Sequence, residues 1–153
     1  MESARPAEAD DRRACIELLT RALAEARTAR GGAKLAGDAT SDALLARWND
    51  ASTEATVSVG VFHQVVVGLA AATTFVPPGA SERSGRIECC YVEEGARGVG
   101  VGSALMQSML AWCSEKGCRD VDALALPGDR LTKQRLEAAG FTARLLVLNR
   151  LLS

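Results

Sequence analysis

Several ordinary ingredients are scarce or missing in this chain. Aromatic residues make up 4% of it, and there is one histidine and one tyrosine. With so few aromatics, Ala, Val and Leu must build most of the core. The cysteines (15, 89, 90, 113 and 118) are odd in number and contain no C-x-x-C spacing. They read as packed, reduced thiols, and no metal site is expected. Neither sign of charge dominates, with 18 basic residues against 19 acidic ones. No basic stripe stands out, which argues against nucleic acid as a partner. No apolar run approaches the ~20 residues needed to span a bilayer, so no membrane association is expected. Residues 1–10 are polar and alanine-rich and do not resemble a signal sequence, so a cytoplasmic location is expected.

What remains is an ordinary globular composition, 48% apolar and 24% charged over 153 residues, enough for one domain spanning 1–153. Arg5 to Asp11 reads as a short lead-in, an edge strand ending in an Asp10 or Asp11 helix cap. A helix follows over about 12–29, closed by Gly31-Gly32, then a loop over 30–40 and a second helix from Thr40 through Trp48. Val57, Val59 and Val61 alternate with Thr56, Ser58 and Gly60 as a half-buried strand. Phe62-His63-Gln64 turns the chain into a longer strand, Val65 to Phe75. Further strands are expected at 86–92 and 120–126, with a helix between them that stops at Gly117. Asp129 caps another helix, which ends on Gly140, and 141–151 reads as a last extended segment. A strand–helix–strand unit over 87–126 implies a parallel pair with a right-handed crossover beside an antiparallel meander. The fold class is therefore α/β: one mixed, largely antiparallel sheet with one parallel β-α-β pair and helices on both faces.

The stretch that organises the chain is Tyr91-Val92-Glu93-Glu94-Gly95-Ala96-Arg97-Gly98-Val99-Gly100-Val101-Gly102-Ser103. Glycines at 98, 100 and 102 leave backbone N–H groups uncovered, so a bulky anion can approach them. The helix that starts there adds unpaired donors and a partial charge of roughly +0.5. Arg97 can add a full charge at the mouth of such a phosphate cradle. A P-loop would require Gly-Lys-Ser/Thr, and the turn has no lysine. A dinucleotide fingerprint would sit hard against the strand end and need an acidic residue closing a second strand. Five residues separate Val92 from Gly98, and only mid-strand Asp122 is available.

The stretch does resemble the pyrophosphate loop of the GNAT superfamily of acyl-CoA-dependent N-acetyltransferases. Arg97, Gly100 and Gly102 match its Arg/Gln-x-x-Gly-x-Gly/Ala signature, with Tyr91-Val92 at the matching distance upstream. Asp129 stands where the last family motif usually carries Asn at the head of a helix running into Gly-Phe, and the resemblance implies that it too contacts the cosubstrate. The family's tyrosine, four residues before that Gly and a proton donor to the departing thiolate, is replaced by Leu136. The resemblance implies acetyl-CoA as cosubstrate, with its pyrophosphate on Arg97, Gly98, Val99, Gly100, Val101, Gly102 and Ser103. It also implies that backbone groups of Cys90, Tyr91 and Val92 meet the pantetheine arm and the thioester carbonyl. The acceptor would be a small-molecule or peptide amine that attacks directly in a ternary complex, and homodimers built on a sheet edge are common in the family.

Such a transfer needs a neutral amine, and neutralising one with a pKa of ~10.4 costs roughly 4 to 5 kcal/mol at pH 7. A base is therefore expected. Glu88 is the candidate, since simple alternation puts it on one strand face with Cys90 and Val92. Glu93 and Glu94 read as surface-turn residues, His63 as an exposed turn residue, and Trp48 and Trp112 as helix-core residues. Cys89 and Cys90 are the alternative acyl-accepting nucleophiles. Asp38, Asp42, Asp50 and Glu54 cluster where the family places its acceptor, and either suit a cationic amine or form a solvated face. A catalytically silent acyl-CoA-binding module and a nucleotide-binding domain are the competing functional readings.

Overall fold

The computed structural model describes residues 1–153. Strands β1 (Glu2–Pro6), β2 (Ala55–Phe62), β3 (Val65–Phe75), β4 (Ser84–Val92) and β5 (Asp120–Ala123) form one sheet in that spatial order. The first three pairings are antiparallel and β4–β5 is parallel. Between β2 and β3 the chain turns in two residues, His63 and Gln64, both at positive φ (48° and 67°). Such a hairpin follows the right-handed twist of its strands. His63 is exposed there, as the sequence suggests.

Helices α1 (Arg12–Thr28), α2 (Gly32–Ala36) and α3 (Ser41–Asn49) precede β2, and α4 (Val101–Glu115) and α5 (Arg130–Ala138) flank β5 in sequence. On one face Leu19, Leu45 and Trp48 pack against Val57, Val59, Leu69 and Ala71. On the other, Leu105, Met109, Cys113 and Leu136 pack against Ala70, Ala72 and Ile87. The fully buried run Ala70-Ala71-Ala72 lets helices approach β3 closely from both sides. The seat of α4 is cut by two glycines that face each other across the ladder, Gly60 and Gly68. A Cβ at Gly60 would come within 2.4 Å of Val101 Cγ1, and one at Gly68 within 3.1 Å of Leu105 Cδ1. At Gly60 no side chain fits without shifting Val101 at the helix start, and at Gly68 the tightest contact is the Tyr91 carbonyl oxygen of the next strand, at 2.8 Å.

Four local expectations are corrected. Residues 30–40 contain the short helix α2 rather than a plain loop. Asp11 does not cap α1. It accepts from Glu8 N (2.8 Å) and pairs with Arg5 (2.7 and 3.0 Å), tying the helix start back to β1. β5 ends at Ala123 instead of reaching 126: its pairing with β4 stops at Ile87–Ala123, beside the register shift of β4 against β3. Residues 141–153 form no strand, since β5 is only four residues long and offers them little ladder to join. The Arg144–Asp122 ion pair ties this segment to β5, while Leu145, Leu146, Val147, Leu148, Leu151 and Leu152 are all exposed.

Candidate active site

The site begins where the sheet opens. Parallel pairing of β4 with β5 stops at Ile87–Ala123, and the last residues of β4 run on without that neighbour. On the β3 side, Cys89 opposes Ala71 and Ile87 opposes Ala72, which leaves Glu88 as the extra residue of a β-bulge. Glu93 N–H donates to Val67 O (2.9 Å). Alternation then turns the main-chain groups of Tyr91 toward β3 and those of Cys90 and Val92 into the cleft. Arg97 Nε occupies the Val92 carbonyl (2.9 Å), and the Cys90 peptide groups and Val92 N–H have no strand beside them.

Beyond Val92 the chain makes one short 3-10 turn, Glu94–Ala96, and reaches the glycines. Gly98 and Gly100 both have positive φ (86° and 93°), and Gly100 is the residue before the first turn of α4. No side chain caps that helix, which leaves the N–H groups of Val101, Gly102 and Ser103 without a partner in the chain; Arg135 stands against Gly102, and the Glu2 side chain stands beside Gly100. The Val101 side chain is buried in the core, and the space around Gly98 is open for 4 Å. This backbone can therefore present several donors to one anion.

The Arg97 side chain is not at the mouth of this cradle. Its guanidinium pairs with Glu25 of α1 (2.9 Å) and lies over the Tyr91 ring, stapling the turn to the helix behind it. The hydrogen bond to Glu25 raises its pKa above the usual arginine value.

A cavity of about 480 Å³ opens into the cleft, lined on the sheet by Ile87, Glu88, Cys89 and Cys90 and on α5 by Asp129, Thr132, Arg135 and Leu136. Glu88 lines it from a face other than the one alternation gives. Thr73 Oγ1 donates to its carboxylate (2.8 Å), and Thr73 shares a face of β3 with Ala71 and Leu69. The bulge has thus put Glu88 on the α1/α3 face, opposite Cys90 and Val92, which correct the shared-face expectation. Burial pushes the Cys89 thiol up to about 12 and raises that of Cys90, with Arg135 partly offsetting the latter. Protonated thiols are poor nucleophiles, which weighs against the acyl-cysteine alternative.

Leu136 is buried, and Tyr91 packs on the opposite face without lining the cavity. No tyrosine is placed to protonate a leaving thiolate. Arg135, which the sequence reading passed over, does reach the cleft. A Cβ on Gly102 would stand 2.8 Å from its Cζ, and its charge acts on Cys90. It forms no ion pair within the chain. Helical spacing carried the signal: 132, 135, 136 and 139 share the inner face of α5. Both oxygens of Asp129 accept from Thr132, N at 3.0 Å and Oγ1 at 2.6 Å, so this carboxylate caps α5 at the cavity edge.

The acidic cluster does not converge. Asp42 faces Arg12, Asp50 closes a turn with Ser52, Glu54 pairs with Arg83, and Asp38 is exposed. None of the four lines the cavity.

A family model, described as the Acetyltransferase (GNAT) family, matches residues 20–141. The chain belongs to the GNAT acetyltransferase family. Its fold is also that of solved structures at low identity. One is AAC(6')-Iy in complex with the bisubstrate analog CoA-S-monomethyl-acetylneamine (18% identity, 100% and 99% of the two chains, TM-score 0.72). Another is the ribosomal-protein-alanine N-acetyltransferase of Brucella melitensis biovar Abortus 2308 (15%, 100% of both chains, 0.72). A third is a predicted acetyltransferase with acetyl-CoA from Clostridium acetobutylicum (16%, 97% and 96%, 0.70). No curated protein matches the chain. This GNAT domain is thus an acyltransferase in a family that uses acetyl-CoA, and none of its helices is long and apolar enough to cross a membrane.

Proposed function

We propose that this protein transfers an acetyl group from acetyl-CoA to a primary amine by direct attack in a ternary complex. The observation that carries the reading is a juxtaposition. The uncapped start of α4 behind Gly98-Val99-Gly100 lies at one end of the cleft where β4 leaves β5, and Glu88 lies along the same cleft. Backbone N–H groups of Gly98 through Ser103 hold the pyrophosphate, helped by the helix dipole. Arg97 acts by fixing the turn, and Asp129 by fixing the start of α5. The exposed main chain of Cys90 and Val92 lines up the pantetheine arm, with Tyr91 holding that strand against β3. Val92 N–H then donates to the carbonyl oxygen as charge builds on it, a contact worth about 3 kcal/mol.

Glu88, steadied by Thr73, takes the proton that the amine must lose before or during attack, directly or through water. The thioester supplies an activated acyl carbon and a thiolate leaving group. With Leu136 in the tyrosine position, Arg135 stabilises the departing thiolate by its charge. It cannot donate its proton, so the thiol is completed from water.

Leu136 also favours a second reading, an acyl-CoA-binding module without turnover. Thiol release measured with acetyl-CoA and an amine panel separates the two: release dependent on amine supports transfer, and CoA binding without release supports the silent module. A homodimer would cover the leucines exposed over 145–152.

A further inference from the structure

The acceptor end of the cavity has a composition of its own. Away from the cradle its walls are Leu19, Leu23, Leu35, Leu44, Trp48 and Leu126, contributed by three helices and the segment after β5. Two carboxylates line the whole cavity. Asp129 is held by Thr132 through both oxygens, and Glu88 keeps one oxygen free of hydrogen bonds within the chain. The charge on the α3 side of the lining is positive: Arg47, which forms no ion pair. Beside it the Trp48 indole N–H is buried without an acceptor. The acidic residues that could have received a polycation (Asp38, Asp42, Asp50 and Glu54) all lie outside the cavity.

From this arrangement we infer that the acceptor is a small primary monoamine on an apolar frame, aryl or branched alkyl. The inference rests on the acetyl-transfer reading and narrows it. One ammonium group has one carboxylate to meet, its carbon frame fills a wall of leucines, and a second positive charge would meet Arg47. A polyamine, an aminoglycoside or a lysine-rich peptide would leave charges in an apolar pocket beside a like charge. A single carboxylate on the acceptor, as in an apolar amino acid, is compatible with Arg47 and Trp48.

The test is steady-state thiol release at saturating acetyl-CoA with phenethylamine, isoamylamine, leucine, phenylalanine, spermidine, kanamycin and a lysine peptide. Calorimetric CoA binding is measured on the same preparation. Expected is a kcat/KM at least tenfold higher for one of the first four than for any polycation. Arg47→Glu should narrow that ratio at least tenfold, with CoA affinity unchanged. Equal rates, or a preference for spermidine, kanamycin or the lysine peptide, would overturn the inference and leave acetyl transfer standing. CoA binding with no turnover of any amine would instead remove the transfer reading, and the inference with it.

Discussion

On the α4 face of the sheet the candidate site is made of peptide groups: uncapped helix donors, two left-handed glycines and a strand edge with no neighbour. On the α1/α3 face it is made of side chains: Glu88 with Thr73, Arg47, Trp48 and a wall of leucines. A peptide backbone recognises what every member of an acyl-CoA-dependent family shares, a diphosphate and an amide-bearing arm. Side chains recognise what differs between members, the amine. The two halves meet at the β4 bulge, which sends the side chain of residue 88 to one face and those of 90 and 92 to the other, with the main chain of 90 and 92 open to the cleft between them.

Substitutions that strike one half and spare the other sharpen this division. Glu88→Gln should lower kcat/KM by about a hundredfold or more, the usual range for losing a general base, while calorimetric CoA affinity holds. Loss of CoA binding in that variant would mean that the halves are not separable. Next in size is Gly60→Val, which drives methyl groups into Val101 and Leu105. It should cost about 3 kcal/mol of stability in a denaturant titration, since the seat of α4 has no room to give. An unchanged midpoint would show that α4 is not seated on the glycine notch.

The Asp11–Arg5 pair tests how the acceptor face is anchored. Hydrogen bonding to Arg5 holds the Asp11 carboxyl below its ordinary value, despite burial acting the other way. A lowered folded-state pKa means stability present above the unfolded carboxylate value, about 3.9, and lost as pH falls through the folded value. Asp11→Asn should therefore cost about 2 kcal/mol at pH 7 and much less near pH 2, read from melts at both pH values. A penalty that does not depend on pH would assign Asp11 a packing role alone.

A tenfold fall in kcat for Arg135→Met, with the amine KM unmoved, is expected if its charge acts on the thiolate, about 1.4 kcal/mol of transition-state stabilisation. A rise in KM with kcat unchanged would move Arg135 to ground-state binding.

These halves also differ in how readable they are from the sequence. Glycines at 98, 100 and 102 announce a backbone site in the letters themselves, because only glycine leaves amides bare and takes φ of 86° and 93° without strain. The strand before them and the helix after them follow from periodicity. The acceptor half depends on details that residue patterns do not carry. Nothing in Glu88-Cys89-Cys90 signals a bulge, so alternation assigned Glu88 to the wrong face even as the residue itself was picked out. The Asp and Glu residues between 38 and 54 read either as a site for a cationic amine or as a solvated face; each finds an arginine, a turn or solvent, and helices turn the intervening leucines inward. Arg135 carries no family signature of its own, although helical spacing places it with Leu136 on the inner face of α5. The last segment reads as extended by composition, and it finds beside it a β5 of only four residues.

The central claim is that peptide donors at the start of α4 grip a diphosphate. Calorimetric titration of coenzyme A into the wild-type protein and into Gly100→Asp, with melting curves on both, tests it most directly. The account predicts saturable heat for the wild type and at least a tenfold weaker interaction for a still-folded Gly100→Asp, which puts a second carboxylate beside Glu2 at the helix start and a side chain at φ 93°. Absence of heat with the wild type, or undiminished affinity in the folded variant, would contradict it.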